Sequence, residues 1–589
     1  MEQAQAAARR DPCPVLQRIS RIRLDDADNW LFHCLSSCGL AMKVPITSID
    51  LGEGFKYPCL LPKDVLEAMV KEGYVNRVLG VPFARASDAL QDFWRLYQLG
   101  HPGHDIFSGD ERDFRHVIPF YLHGDGGRTY KKESIMVLSM FPALGRGSSR
   151  APTADFEGGR PSRKRSRPGA EPAHLPSAPM AGEHVQMGVN LVGNSLASRF
   201  LFTAIHSDHI KKDRHNTWLQ LLGVWAEKLC SLYTEGFEHQ GQRWRVAVIG
   251  LTGDAPFLRD AGLMNRSFNN IRKSEKSDTF LPGVCHLCLA GRTNGAGFED
   301  LDFLRAAWVQ TMRGNNILPW EEPSPLLDGM LTEPDNLPAF FMGDMFHIYY
   351  LGVGKEFCAS ALVYMLKSKH CLKKKTMDKS IHFLNEQLKR FQIERKVSPL
   401  ACGKLSWDLL DYNGPRMFPK GKWSKGMDTG KITKFVEILS AELLEGSHGD
   451  THLKLIHDAS VAIGTFVRTL FAGGFFLTKQ EAEKAIHSGY AFLCTYQKLA
   501  RLSSEGGKQC LYKLKPKAHA MTHLVLDMWE MYQHDTSCVV NCIGSATFMQ
   551  EDFVGIIGRM SRRVSPRVQG QKVLHRYLCG FKGALAEEI

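Results

Sequence analysis

Residues 244–251 (WRVAVIGL) form a nearly continuous apolar run that leads into Thr252-Gly253-Asp254. A run this short and this apolar suits a strand covered on both faces, as in the interior of a layered sheet. An acid at the end of such a strand can hold a metal ion. Further on, Cys285-His286-Leu287-Cys288 has the spacing of half a zinc site. Neither feature is specific alone, so the remaining partners must come from elsewhere in the chain.

The elements around the run suggest an order. Residues 117–124 (VIPFYLHG) read as a strand, Asp125-Gly126-Gly127 as a turn, and residues 133–140 (ESIMVLSM) as the antiparallel partner. Residues 199–205 (RFLFTAI) give a third strand. Residues 216–236 give an amphipathic helix with Trp218, Leu221, Leu222, Trp225 and Leu229 on related faces. Strand, strand, strand, helix, strand is the front half of an RNase H-like fold. The expected fold class is an α/β core of that kind with a mixed sheet, a large all-α insertion and a helical N-terminal region.

The segments follow from this order. Residues 1–112 are expected to be helical, with amphipathic spacing over 64–75 and 89–99. Residues 113–144 and 189–300 form the front of the core. Residues 145–188 are rich in Gly, Pro, Ser, Ala and Arg and are expected to be disordered. Residues 301–540 read as a helical insertion, with helices over 357–366, 432–444, 453–471 and 479–502. Residues 541–589 complete the core with a helix that starts near Thr547 and runs through 553–563 (FVGIIGRMSRR).

Composition narrows the setting. Lys and Arg exceed Asp and Glu by 74 to 62, a net charge of +12 that is compatible with a polyanionic partner. The 15 cysteines lack the regular spacing of a disulfide framework, which points to a reducing compartment. The start, MEQAQAAARRDPCP, has no apolar signal core, and no uninterrupted apolar run has the length of a membrane span. Arg163, Lys164, Arg165 and Arg167 lie in a basic cluster that reads as a nuclear-localisation or nucleic-acid patch. The expected location is the nucleus, with no membrane partner.

Phosphodiester cleavage on such a fold needs carboxylates that converge from distant parts of the chain around two hard cations, Mg2+ or Mn2+. Asp125 ends the first strand and Asp254 the fourth. Glu551, just before the apolar stripe of the last helix, is the third candidate, with Asp552 its close rival. Each also has an ordinary reading, as turn residue, helix cap or first-turn acid. For zinc, His519 and His523 at i and i+4 supply two imidazoles on one helical face to join Cys285 and Cys288. His448 and His452 share that spacing, and His286 sits inside the hook. Such a zinc ion would be structural, clamping the insertion onto the core. Asp344 and His347, three apart, are further candidates for supporting the metal site or orienting DNA. Phosphate contacts are expected from Arg559, Arg562, Arg563 and Arg567, and from Lys373, Lys374 and Lys375.

Taken together, these residues resemble the cut-and-paste DDE transposases of the CACTA (En/Spm-type) superfamily. Residues 121–127 (YLHGDGG) look like that family's first-aspartate strand. Residues 249–256 (IGLTGDAP), trailed by Cys285 and Cys288, resemble its second-aspartate segment. Residues 343–348 (GDMFHI) and 514–524 (LKPKAHAMTHL) resemble two further motifs. The V(D)J recombinase core is a more distant relative that also splits a zinc site between a Cys pair and a His pair. The resemblance implies a DDE core interrupted by a helical insertion, strand cleavage and transfer at transposon ends, double-stranded DNA as partner, and homo-oligomers on DNA. The basic insert inside the core and the lack of an N-terminal zinc finger depart from that pattern; Cys34 and Cys38 near His33 make a poor one. A second reading therefore stays open: a transposon-derived nuclear protein that binds DNA or protein without catalysis.

Overall fold

The apolar run becomes part of a central strand, Gln242–Gly253, in a computed structural model of the chain. The structure describes residues 6–7, 9, 13–22, 26–109, 113–129, 134–148, 187–212, 215–266, 268, 283–291, 296–312, 318–446, 449–505 and 509–587. The main sheet has five strands: β1 (Val117–Arg128), β2 (Ser134–Pro142), β3 (Phe200–His206), β4 (Phe237–His239) and β5 (Gln242–Gly253). Their spatial order is β3-β2-β1-β5-β4. β1 pairs antiparallel with β2, and β2 with β3. β5 lies parallel to β1, and β4 is a short antiparallel flap on β5. Beyond β5, Phe341 makes a parallel bridge to Leu251, and Met342 N donates to Leu251 O at 2.9 Å. The sheet is thus mixed, and the chain has an α/β core with extensive helical regions, as expected.

Helices cover the sheet. Helix α1 (His215–Thr234) buries Trp218, Leu221, Leu222, Trp225 and Leu229, the stripe expected from their spacing. Trp225 stacks on Phe202 of β3 with ring centroids 5.6 Å apart. Full burial of each such side chain contributes about 1.5–3 kcal/mol. A short helix, α2 (Ala255–Ala261), follows β5 directly. The remaining labelled helices are α3 (Gly354–Lys367), α4 (Met377–Glu394), α5 (Gly426–Glu445), α6 (Thr451–Ala472), α7 (Lys479–Glu505), α8 (Pro516–His534), α9 (Phe548–Met560) and α10 (Gln569–Glu587). Helix α6 is long and apolar enough to cross a membrane by length and composition. Its Leu453, Ile456, Ile463, Phe466 and Leu470 are buried among neighbouring helices, whereas Lys454, Asp458 and Arg468 are exposed, the pattern of an amphipathic packing helix.

Four expectations need correction. Asp125-Gly126-Gly127 is not a turn: β1 continues to Arg128, with Asp125 opposite Val137 and Gly127 opposite Ile135. Gly124 and Gly127 serve close packing, whereas a Cβ on Gly126 would meet nothing within 4 Å. A Cβ on Gly124 would lie 2.1 Å from the Phe257 ring of α2, and one on Gly127 would lie 3.3 Å from Val554 of α9. Residues 1–112 are not purely helical: Thr47–Asp50 pairs antiparallel with Lys56–Cys59. That hairpin is fastened to β3, where Leu60 N donates to Phe202 O at 2.8 Å and Thr203 Oγ1 to Pro58 O at 2.9 Å. The ends of the 145–188 stretch are ordered, since Leu144–Gly145 pairs with Gly188–Val189. The basic cluster with Arg163, Lys164, Arg165 and Arg167 lies outside the described residues. Finally, α9 ends at Met560, so Arg562 and Arg563 follow the helix rather than sit within it.

Candidate active site and metal centre

Parallel pairing of β1 and β5 sets Gly124 beside Gly253, so Asp125 and Asp254 follow at neighbouring strand positions. Asp254 does two things at once. It ends the strand and caps α2, its Oδ1 accepting from Phe257 N at 2.8 Å; the sequence Asp-Ala-Pro is a cap followed by proline in the first turn. Helix α9 lies across the end of β1: a Cβ on Gly558 would meet Arg128 O at 2.9 Å. Glu551 stands one turn before Val554 and two turns before Gly558, on the side of α9 that faces β1.

The electrostatics tie the three acids together. Burial, then the negative charges of Glu551 and Asp254, push the Asp125 carboxyl up to about 8. Glu551 is also raised, by burial first, with His347 acting in the opposite direction. The Glu551 Oε1 atom is buried and receives no aligned hydrogen bond; its charged neighbour is the His347 ring. Asp552 does not join them. It is exposed and accepts from Ser195 Oγ at 2.7 Å.

His347 completes the group. It lies on a wide π-type turn, Phe346–Val353, that leads into α3. Its Nδ1 is 2.6 Å from Asp344 Oδ2, and its Nε2 is 3.3 Å from Glu551 Oε1. Burial alone would lower it, but the bond to Asp344 and the charges of Asp344, Glu551 and Asp125 raise it to about 9, which favours the protonated ring. Asp344 is buried and accepts from Phe346 N, His347 N, Thr547 N and Thr547 Oγ1 as well as facing His347. With its oxygens so engaged, Asp344 orients His347 and fastens the start of the helical region to Thr547, beside α9. Thr547 has no signature in sequence. Neither has Lys517, whose Nζ donates to His347 O at 3.0 Å.

The cysteine and histidine pairs do meet. Cys285, Cys288, His519 and His523 are all buried, and their ligand atoms lie within 4.8 Å of one another. Among the described residues this is the one group of three or more His, Cys, Asp or Glu that is so compact. Cys285 Sγ is 3.4 Å from His523 Nε2, Cys288 Sγ is 3.3 Å from His519 Nε2, and the two Nε2 atoms are 3.1 Å apart. Tetrahedral zinc with bonds of about 2.3 Å to sulfur and about 2.0–2.1 Å to nitrogen puts S and N about 3.5 Å apart, and N and N about 3.3 Å apart. The four side chains therefore fit a zinc ion. Backbone donors support the sulfurs: Leu287 N to Cys285 Sγ at 3.3 Å and Ala290 N to Cys288 Sγ at 3.5 Å. Although burial raises Cys285, bonding to Cys288 and the charge of His523 bring it well below the usual thiol range. Trp308 packs on both rings, with centroids 4.5 and 4.8 Å away.

The rival ligands are elsewhere. His286 Nε2 is 2.7 Å from Phe341 O, away from the cluster. His452 stacks on Tyr364 with centroids 3.9 Å apart, and His448 lies outside the described residues. A cavity of about 290 Å³ lies between the two centres, lined by Asp254, Asp344 and His347 on one side and by Cys285, His519 and His523 on the other. Arg559 is exposed in the last turn of α9, Arg562, Arg563 and Arg567 are exposed beyond it, and Lys373, Lys374 and Lys375 are exposed before α4. No protein-family model matches the chain, and no curated protein matches it.

Proposed function

We propose that this protein cuts and joins duplex DNA as a DDE-type transposase on an RNase H-like core, of the kind the CACTA superfamily exemplifies. The observation that carries the reading is the convergence of Asp125, Asp254 and Glu551, from three distant segments, at the end of β1 and β5. The antiparallel β1-β2-β3 meander, with β5 parallel to β1 and Phe341 bridging beyond it, supports the fold assignment. Repulsion among the acids, offset in part by His347 and by Lys517 near Asp254, favours binding of divalent cations. When bound, Mg2+ or Mn2+ activates the attacking oxygen and stabilises the leaving oxygen of the phosphodiester. In this scheme the carboxylates of Asp125, Asp254 and Glu551 hold the cations, and His347, held by Asp344, positions Glu551 through its Oε1. The Cys285, Cys288, His519 and His523 cluster binds structural zinc and ties the segment after β5 to α8. The reading carries with it a nuclear location, duplex DNA as partner, phosphate contacts from the arginines of α9 and its exit and from Lys373–Lys375, and homo-oligomers on DNA.

The test is cleavage and strand transfer on DNA bearing the terminal repeats that flank the coding sequence, with Mg2+ or Mn2+. Expected are products with the native chain and none with Asp125→Ala, Asp254→Ala or Glu551→Ala, while DNA binding persists in all three. Cleavage that survives Asp254→Ala, or proceeds without a divalent cation, overturns the proposal. Binding without cleavage by the native chain identifies a non-catalytic relic instead.

A further inference from the structure

The segment leading into α8 carries lysines at every second position, Lys513, Lys515 and Lys517, separated by Leu514 and Pro516. The backbone at Lys515 is extended, with φ −126° and ψ 161°. The segment runs beside the start of α3, where Glu356 is buried and ion-paired with Lys515. Lys513 and Lys517 also lie within electrostatic reach of Glu356, and Lys355 lies within reach of Lys517 and Lys515. Four ammonium groups thus surround one carboxylate. Lys355 and Lys513 have no ion-pair partner among the described residues; they rest over aromatic rings instead. Lys355 Nζ is 5.9 Å from the centre of Trp423, and Lys513 Nζ is 5.8 Å from that of Phe418. Both rings belong to one loop, which is pinned to the lysine segment by the bond from Cys510 N to Pro415 O at 2.7 Å.

The row has a direction. Lys517 lines the cavity shared with Asp254, Asp344 and His347, whereas Lys513 is exposed. The Lys517 ammonium has three donors and spends two on the carbonyls of His347 and Leu351. Lys515 faces Glu356, and Lys517 faces Asp344 and Asp254 as well, whereas Lys355 and Lys513 lack an ion-pair partner among the described residues, so the outer part of the row is where an added anion offsets most repulsion. A small anion would need the lysines folded into a cage. A row leading outward from a cleft matches a polymer with phosphates at regular intervals.

We propose that Lys355, Lys513, Lys515 and Lys517 form a track for the phosphate backbone of duplex DNA on its way out of the acidic cleft. The proposal rests on the DNA-processing reading above and adds a phosphate-binding surface beside the acidic cleft to the arginines of α9 and its exit and to Lys373–Lys375. The test uses the full chain and a fluorescein-labelled duplex of random sequence, with affinity read by anisotropy over a series of potassium chloride concentrations. Each phosphate contact contributes about 0.9 to the slope of log affinity against log salt, so Lys355→Gln/Lys513→Gln is expected to flatten the slope by about 1.8. The control, Lys389→Gln/Lys484→Gln, removes the same charge from two exposed helical lysines elsewhere and is expected to keep the native slope. If thermal melting shows the double variant to be unfolded, Lys513→Gln alone is used, with an expected change of about 0.9. A native slope in the track variant, or an equal change in the control, overturns the track and leaves the DNA reading standing. A native chain that binds no duplex overturns both.

Discussion

His347 Nε2 lies 3.3 Å from Glu551 Oε1, which couples the first turn of the helical region to the last acid of the core. The two residues are 204 positions apart, and the buried Asp344, bonded to both His347 and Thr547, helps to keep them in register. Asp344→Ala strands the Thr547 and Phe346 amides and frees the His347 ring. The loss of a buried, multiply bonded charge costs ~3–5 kcal/mol, so a matching drop in denaturant stability is expected. A change below ~1 kcal/mol would show that the network is not structural.

The two neighbouring acids of α9 are expected to behave differently. Glu551→Gln should lower metal-dependent cleavage by ~10²–10³ or more, the scale of losing a group that stabilises transition-state charge. Asp552→Asn should lower it less than ~10-fold, because Asp552 accepts from Ser195 and does not face Asp125. Parallel assays of the two variants with the native chain decide the matter; equal losses would contradict the placement.

Zinc removal is expected to loosen the join between the segment after β5 and α8. Elemental analysis of the purified chain should find zinc, and Cys285→Ser or His523→Ala should release it. Thermal melting should then fall by several degrees, since metal binding to a site of this kind is folding free energy. A chain that melts unchanged after chelation would exclude a structural role.

Acid should destabilise the fold through buried neutral histidines. Burial, then the charge of His101, lowers His104 to about 4, and its Nδ1 accepts from Ile106 N at 3.2 Å. Burial likewise lowers His452 to about 4. A folded-state value below the unfolded one, about 6.5, means that the unfolded chain binds more protons between about 6.5 and 4. The stabilisation is therefore full above pH ~6.5 and is lost as pH falls through that window, on the order of 3 kcal/mol for His104. Denaturant titrations at successive pH values measure it, and His104→Asn should reduce the dependence.

Close packing at the strand end sets a fifth expectation. Gly124→Ala places a methyl 2.1 Å from the Phe257 ring and should cost ~1–3 kcal/mol or more. In a double-mutant cycle, Gly124→Ala and Phe257→Ala should couple by ~1–3 kcal/mol. Additive costs would place the strain elsewhere.

Much of this was legible from spacing. Cys285 with Cys288, and His519 with His523, have intervals that bring two ligands to one point, and buried apolar stripes such as that of α1 follow helical periodicity. The glycines around Asp125 were misread because Asp-Gly-Gly carries the same letters whether a chain turns or lets a helix approach; the neighbours Phe257 and Val554 that decide it lie about 130 and 430 residues away. The hairpin Thr47–Asp50 with Lys56–Cys59 was missed because its strands are only four residues long and draw their support from β3. Helix α2 did carry a signal, the Asp254 cap and Pro256, weighed only as the ordinary alternative to a metal ligand. Asp344 and Thr547 meet through tertiary contact alone, which no periodicity encodes.

The small pairing of Leu144–Gly145 with Gly188–Val189 has a consequence for how this protein can change. The chain leaves β2 and returns towards β3 through one narrow gate, so the length between the two sides is decoupled from the sheet. Doubling a loop adds only about 0.6 kcal/mol of closure entropy. The pairing that sets Asp125 beside Asp254 runs through β1 and β5 alone, so a tag inserted between the two sides of this gate should leave the spacing of the two acids unchanged.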